Sequence, residues 1–309
     1  MQKRSTGQKR SAERERSAVL PGRTRRWRRA TAVATAGVLS LAAFAGLRET
    51  ADAAAIPVLD HVVVVVFENH AAPQVVGNSN APYITSLAAD GAKMSNFFAE
   101  THPSQPNYFA MFSGSTQGVT NDACPPPGSP YATANLGQEI ISVGRTWGSY
   151  NEGLPAQGSS ACSNSATKYA RKHNPWFSFG NVPASTGRTF AQWPADFTTL
   201  PTVSFVVPDL CSDMHDCSVS TGDTWLKNNL GTYATWAKTH NSALIVTFDE
   251  DNWLYFNKIA TVFYGAHVKT GTYSTQYNHY NLLRTIEDMY GTTHAGNAGS
   301  ASPITAIWQ

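Results

Sequence analysis

The stretch HVVVVVFEN (61–69) decides the fold class. Five consecutive valines followed by phenylalanine leave no polar face. A strand with this composition belongs between two covering layers, the position of a central strand in a parallel sheet packed with helices. The run then breaks into Glu68 and Asn69, as if the chain leaves the core at a polar edge.

The flanking sequence repeats this logic. APYITSLAADGA (81–92) reads as a helix closed by Gly91, MSNFFAETH (94–102) as a second strand and QPNYFAMFSG (105–114) as a helix ending at Gly114. Further on, TVSFVVPD (202–209), SALIVTFDED (242–251) and IATVFYG (259–265) read as strands, and DTWLKNNLGTYATWAKT (223–239) and YNLLRTIEDMYG (280–291) as helices. Strands alternating with helices predict an α/β three-layer sandwich with a mostly parallel central sheet. Residues 115–190, rich in Gly, Pro, Ser and Asn, read as a loop-rich insertion near the active face, with one helix at 135–144 and a short strand at 146–152.

The amino-terminal 55 residues have a different character. A basic segment leads into the apolar ATAVATAGVLSLAAFAGL (30–47) and then ADAAA (51–55), the layout of a secretory signal peptide removed after Ala53 or Ala55. The arginine pair in Thr24-Arg25-Arg26-Trp27 suggests the twin-arginine route. No stop-transfer pattern follows, so a secreted protein with no stable membrane anchor is expected. Residues 1–55 hold 12 of the 23 Lys and Arg and 4 of the 21 Asp and Glu, which leaves 11 basic against 17 acidic residues, a net −6, in 56–309. The basicity of the whole chain is therefore a targeting feature, and no basic stripe argues for nucleic acid, whose binding rests on phosphate neutralisation. Residues 56–309 are enough for a single large domain. In an exported chain Cys124, Cys162, Cys211 and Cys217 read as two disulfides, most simply Cys124–Cys162 and Cys211–Cys217.

Four segments share one pattern, an apolar run followed by potential ligands: VVVVVFENH, FFAETHPS, SFVVPDLCSDMHD and LIVTFDEDN. In open α/β sheets ligands bind beyond the carboxyl ends of the strands. The four ends would deliver Glu68, Asn69, His102, Ser104, Asp209, Asp213, His215, Asp249, Glu250 and Asp251 to one edge. So many carboxylates repel one another unless a cation neutralises them, so a metal site is the economical expectation. Singly, each has a plainer explanation: Glu68 and Asn69 as a strand end, Asp249 to Asp251 as a solvated loop, Ser104 as a helix cap. The recurrence at four ends tips the balance. Ser104 sits in THPSQPNYFAMFSG (101–114) where a helix begins, and free backbone N–H groups there favour an anion. A hydroxyl so placed beside a cation suits nucleophilic attack.

Together ENH (68–70), THPSQPNYFAMFSG (101–114), VPDLCSDMHD (207–216), TFDEDN (247–252) and YNHYNLLRTIEDMYG (277–291) resemble the bacterial phosphoesterase family. That family includes AcpA-like acid phosphatases and non-haemolytic phospholipases C, within the alkaline phosphatase superfamily. The resemblance implies a divalent metal held by Glu68, Asn69, Asp249, Glu250 and Ser104, with Mg²⁺, Mn²⁺, Ca²⁺ and Zn²⁺ all compatible with such ligands. It also implies Ser104 as nucleophile, Thr101 being the second hydroxyl in the segment, and Asn107 as a phosphate ligand. His102 and Asp213 would assist phosphate binding, and His215 or His279 would contact phosphate or protonate the leaving group, oriented by Asp209 or Asp213.

The expected function is a secreted metal-dependent phosphomonoesterase working through a phosphoseryl intermediate, acting on a small phosphoester or a phospholipid head group. A phospholipase C-like phosphodiesterase is the alternative. The chain stops soon after its last helix, without the long extension of the phospholipase branch. Two further readings are a metal-free serine esterase, which lacks a G-x-S-x-G elbow, and a noncatalytic module whose acidic cluster holds Ca²⁺.

Overall fold

The computed structural model describes residues 55–309. The proposed signal peptide and its arginine pair lie outside the described residues. Eleven strands and six α-helices follow in order: β1 (His61–Phe67), α1 (Ala72–Val75), α2 (Pro82–Asp90), β2 (Ala92–Phe98), α3 (Ser104–Ser113), α4 (Leu136–Ser142), β3 (Trp147–Asn151), β4 (Ser163–Asn164), β5 (Tyr169–Ala170), β6 (Gly187–Thr189), β7 (Val203–Val207), α5 (Val219–Ala237), β8 (Ser242–Phe248), β9 (Lys258–Gly265), β10 (Gly271–Tyr273), β11 (Tyr277–Asn278) and α6 (His279–Tyr290).

β1 lies at the centre of a nine-stranded sheet ordered β10-β2-β9-β8-β1-β7-β3-β6, with β11 beside β2. It runs parallel to β7 on one side and to β8 on the other, with Val64 opposite Phe205 and Ile245. Val62 to Phe67 are fully buried, as an all-apolar run requires. Only β9 runs antiparallel, pairing with β8 and β2. The carboxyl ends of β1, β2, β7 and β8 therefore share one edge. Helices α1, α2 and α5 pack on one another or on β8 and β9, while α3, α4 and α6 form a second group. This is the predicted three-layer arrangement.

The 115–190 segment carries α4 and β3 where a helix and a short strand were expected, and it also adds β6. Its β3 and β6 extend the central sheet beyond β7, and Trp147 and Trp176 pack with Phe112 and Phe205. The disulfides are Cys124–Cys162 and Cys211–Cys217, the simplest pairing. Among the described residues no helix is long and apolar enough to cross a membrane.

Helix boundaries follow local chemistry. Asn135, Ser218 and Asn278 cap α4, α5 and α6 with side-chain oxygens on free backbone N–H groups. α3 ends at Gly114 in the left-handed region (φ 64°), where a Cβ would collide with the Ala295 carbonyl oxygen.

Candidate active site

α3 begins at Ser104, which is its first residue and not its cap. Pro103 precedes it and offers no side-chain hydrogen bond. Asp122, from the loop-rich segment, accepts the Gln105 N–H at 3.0 Å and pairs with Lys172 at 2.9 Å. The helix entrance is thus satisfied from outside, which frees the serine hydroxyl. Ser104 is buried, and its Oγ donates to Glu68 Oε2 at 2.8 Å, with Glu250 Oε1 at 3.4 Å as a second acceptor.

Three carboxyls from the ends of β1 and β8 surround this hydroxyl. Glu68, Asp249 and Glu250 are all buried, and Asp249 Oδ1 accepts the Asn69 N–H at 3.2 Å. Burial, then the neighbouring Glu68 charge, pushes Glu250 up to about 8 and Asp249 well above the carboxylate range. Ionising all three side by side is opposed by burial and by their mutual repulsion, which an added positive charge would relieve.

Glu68 also faces the other way. Its Oε1 lies 3.0 Å from His173 Nε2, and His173 Nδ1 lies 3.2 Å from Asp213 Oδ2. Ligand atoms of Glu68, His173 and Asp213 all fall within 4.8 Å of one another. Burial resists charge on Glu68 and His173, yet their mutual attraction outweighs it: Glu68 is held at about 2 and His173 at about 9. Asp213 is pushed up to about 6, mainly by burial.

The fit of this set to a cation rests on alignment. Glu68 Oε1, His173 Nε2, Asp213 Oδ2 and Asp249 Oδ2 are buried atoms with no hydrogen-bond partner among the described residues, although several lie near 3 Å from one another. Buried polar atoms are ordinarily paired. Close donors that fail to align suit lone pairs sharing an ion, and carboxylate oxygens with one imidazole form an ordinary divalent-metal donor set.

The structure brings Glu68, Ser104, Asp213, Asp249 and Glu250 together, with Asn69 and His102 at the margin. His102 Nδ1 contacts Glu250 Oε2 at 2.8 Å and its Nε2 contacts Asp251 Oδ1 at 3.3 Å. Other predicted residues have different tasks. The Asn107 amide oxygen accepts the N–H groups of Glu100 and Thr101, and its Nδ2 donates to Thr101 O, Pro103 O and Glu250 Oε2. Asn107 therefore braces the loop before Ser104. His279 is fully buried and donates from Nε2 to the Asp249 carbonyl at 2.8 Å. Burial lowers it to about 4, so it is a neutral strut behind Asp249. The Thr101 hydroxyl donates to His102 O. Asp209 Oδ1 accepts the Cys211 and Ser212 N–H groups and closes the disulfide turn, without touching a histidine side chain. Asp251 organises its own loop, accepting the Trp253, Tyr255 and Asn257 N–H groups. His215 stands half-buried at the rim, its Nδ1 on Asp216 at 2.8 Å and its ring 5.9 Å from that of His173.

Sequence reasoning missed His173 and its neighbour Lys172. Both lie in a short 3₁₀ turn, Arg171–His173, inside the loop-rich segment. The run YARKHNPW (169–176), two aromatics enclosing three cationic or imidazole side chains, was the available signal.

The fold is that of the alkaline phosphatase superfamily. One crystal structure from that superfamily, from Vibrio parahaemolyticus, superposes with a TM-score of 0.53 at 12% identity, covering 76% of this chain and 67% of the other. The Phosphoesterase family model matches residues 78–293, and the chain belongs to that family. It is accordingly a hydrolase acting on phosphoester bonds. A phosphatidylinositol-3-phosphatase from Mycobacterium tuberculosis is 52% identical over 258 residues, spanning 83% of this chain and 85% of the relative. An acid phosphatase from Aspergillus fumigatus is 31% identical over 240 residues, spanning 72% of this chain. The chain covers 53% of that fungal relative's length.

Proposed function

We propose that the protein is a secreted, metal-dependent phosphomonoesterase that forms a phosphoseryl intermediate on Ser104. The observation that carries this reading is the Ser104 hydroxyl at the entrance of α3, 2.8 Å from Glu68 Oε2 within a buried carboxyl cluster. The similarity to a phosphatidylinositol-3-phosphatase supports a phosphate monoester on a lipid head group as the substrate class. The two disulfides suit an oxidising, extracellular setting.

Ser104 Oγ forms a bond to phosphorus as the bond to the ester oxygen breaks, and its proton passes to Glu68. The half-buried His215 protonates the departing alkoxide, then receives a proton from the water whose oxygen bonds to phosphorus as the Ser104 Oγ–phosphorus bond breaks, and Glu68 returns its proton to the serine oxygen. Glu68, Asp213 and His173 on one side, and Glu68, Asn69, Ser104, Asp249 and Glu250 on the other, would hold divalent metal. When bound, it supplies positive charge for the nonbridging oxygens and acidifies the hydroxyl. Asn107 and His279 hold Glu250 and Asp249 in place. Lys172, whose charge stabilises the ionised forms of Glu68 and Glu250, adds positive potential at the pocket.

Acid quenching during turnover of p-nitrophenyl phosphate, followed by peptide mapping, tests this directly. Phosphate on the Ser104 peptide is expected, and Ser104→Ala should lower kcat by at least about 10³-fold. An active Ser104→Ala variant overturns the reading. A faster rate on bis-p-nitrophenyl phosphate or phosphatidylcholine than on the monoester would instead favour the phospholipase C-like diesterase.

A further inference from the structure

The loop after β8 exposes four bulky apolar residues in succession. Trp253 is 73% exposed, Leu254 70%, Tyr255 41% and Phe256 96%. Such a patch on a folded chain marks an interaction surface. The loop is also held in place. Buried Asp251 accepts three of its N–H groups, and the Asn257 side chain ties the Asp251 N–H to the Thr101 carbonyl. Trp253, Phe256 and Asn257 hold positive φ angles of 68°, 56° and 61°, a conformation that the Asp251 bonds maintain. The apolar tip is thus presented by a built scaffold.

Its position ties it to the chemistry. The loop divides two depressions. On one side, Leu254 and Phe256 join Glu100, Thr101, His102 and Asp251 around a cleft of about 580 Å³. On the other, they join Ala72, Met94 and Ala260 along an apolar groove of about 490 Å³ that also carries Lys93 and Lys258. The Trp253 ring stacks on His102 at 3.9 Å, and His102 contacts Glu250.

We propose that residues 253–256 dock the enzyme on an anionic lipid bilayer, with the tip in the interfacial zone and Lys93 and Lys258 against the head groups. Residues 56–309 carry a net −6, so an anionic surface repels the chain as a whole. Lys93 and Lys258 offer two positive charges on the groove side of the apolar tip, while Glu100 and Asp251 lie on the cleft side. Aromatic side chains with polar edges settle at the membrane–water boundary, and one apolar insertion with flanking lysines gives reversible attachment. Docked this way, head-group monoesters face the cleft beside His102. The proposal rests on the phosphomonoesterase reading for its purpose, though not for its test.

The test compares the mature protein with the Tyr255→Ser/Lys93→Gln double variant, whose changed side chains line the apolar groove and not the cleft beside His102. Binding is measured by sedimentation with vesicles of phosphatidylcholine and phosphatidylserine, which contain no phosphomonoester. The parent should partition onto these vesicles and the variant at least about tenfold less. Turnover of phosphatidylinositol 3-phosphate in vesicles should fall in parallel. Turnover of its soluble dibutanoyl analogue should stay within about twofold of the parent, since that substrate needs no docking. Equal partitioning of parent and variant overturns the proposal. So does a parent that ignores vesicles altogether, the outcome expected of a loop built for a protein partner. A parent that binds vesicles through the loop yet cleaves neither monoester defeats the function and leaves the docking surface standing.

Discussion

At the scale of single residues, one buried carboxylate joins two parts of the site. Glu68 presents Oε2 to the Ser104 hydroxyl and Oε1 to His173, so in the proposed mechanism it would take up the serine proton on one face and complete a donor set on the other. His173→Gln removes one nitrogen donor and leaves Glu68 and Asp213 facing each other. Metal affinity should fall by at least about 100-fold, more than the usual loss from disturbing a ligand's support, and elemental analysis of dialysed protein measures it. Metal content equal to the parent's would remove His173 from the donor set. The three histidines separate by leaving group. His215→Gln should lower kcat/KM for phenyl phosphate by about 10²-fold or more while changing kcat/KM for p-nitrophenyl phosphate far less, because kcat/KM reports the phosphorylation step, in which only the poorer leaving group needs a proton. His279→Gln should slow both substrates equally, since a neutral strut moves Asp249 whatever departs. The carboxylates were legible in the sequence because each follows an apolar run that had to be a strand. His173 was not, because neither periodicity nor a strand end marks Arg171–His173, and only the packing of the loop-rich segment onto α3 brings it to Glu68. The hydrogen bonds of Asn107 and His279 were not legible for a related reason: their positions followed from the motif, but the direction of each side chain depends on partners distant in sequence.

At the scale of elements, helix entrances carry the chemistry. The loop before α3 is held by Asn107, which satisfies the Glu100 and Thr101 N–H groups at 3.1 and 3.0 Å. Asn107→Leu keeps the volume and strands both donors, so urea unfolding should show a loss of about 2–4 kcal/mol, with kcat falling as Glu250 loses its donor. A stability unchanged within error would mean that water or a shifted loop replaces the amide. A second contact between elements sets a pH dependence. Glu139 of α4 and Glu287 of α6 face each other, each with one oxygen satisfied, by Thr293 Oγ1 and the Ala295 N–H, and each with a buried oxygen unpaired. Burial and then the Glu139 charge raise Glu287 to about 9, despite Arg284 nearby, while burial raises Glu139 against the pull of His294. The unfolded chain releases the Glu287 proton near its model value of 4.5, whereas the folded chain keeps it until about 9. The native state binds more protons across that window, so stability falls as pH rises through it, by an amount on the order of a few kcal/mol. Glu287→Gln preserves the acceptor for Ala295 and supplies a permanent donor to Glu139. Its melting temperature should exceed the parent's at pH 8 and approach it at pH 5. A difference independent of pH would show that the pair does not share a proton.

At the scale of the whole molecule, the valine run of β1 foretold the sheet because an apolar strand has one place to go. β3 lies where the short strand was expected, at Trp147–Asn151, but β6 was not legible, since a sheet's flank needs only three residues from a segment dominated by turn formers. The segment from 115 to 190 is therefore part of the domain's frame, and the two disulfides divide its work. Cys124–Cys162 closes a loop of sequence separation 38 and anchors the stretch that delivers Asp122, which caps α3. Cys211–Cys217 closes a loop of separation 6 around Asp213, whose main chain also accepts the Glu68 N–H at 2.8 Å. Loop-closure entropy assigns about 4 kcal/mol to the long bridge and about 2 kcal/mol to the short one. Their effects on activity should run in the opposite order. Replacing Cys124 and Cys162 by serine should lower the denaturation midpoint more, yet leave kcat nearer the parent's in the folded protein. Replacing Cys211 and Cys217 by serine should cost less stability and more activity and bound metal, because the turn holding Asp213 against His173 loses its closure. Denaturant melts, kcat and metal content on both double variants decide the matter. Stability and activity falling in the same order would mean that the short bridge is only a staple, and that Asp213 is held by its hydrogen bonds alone.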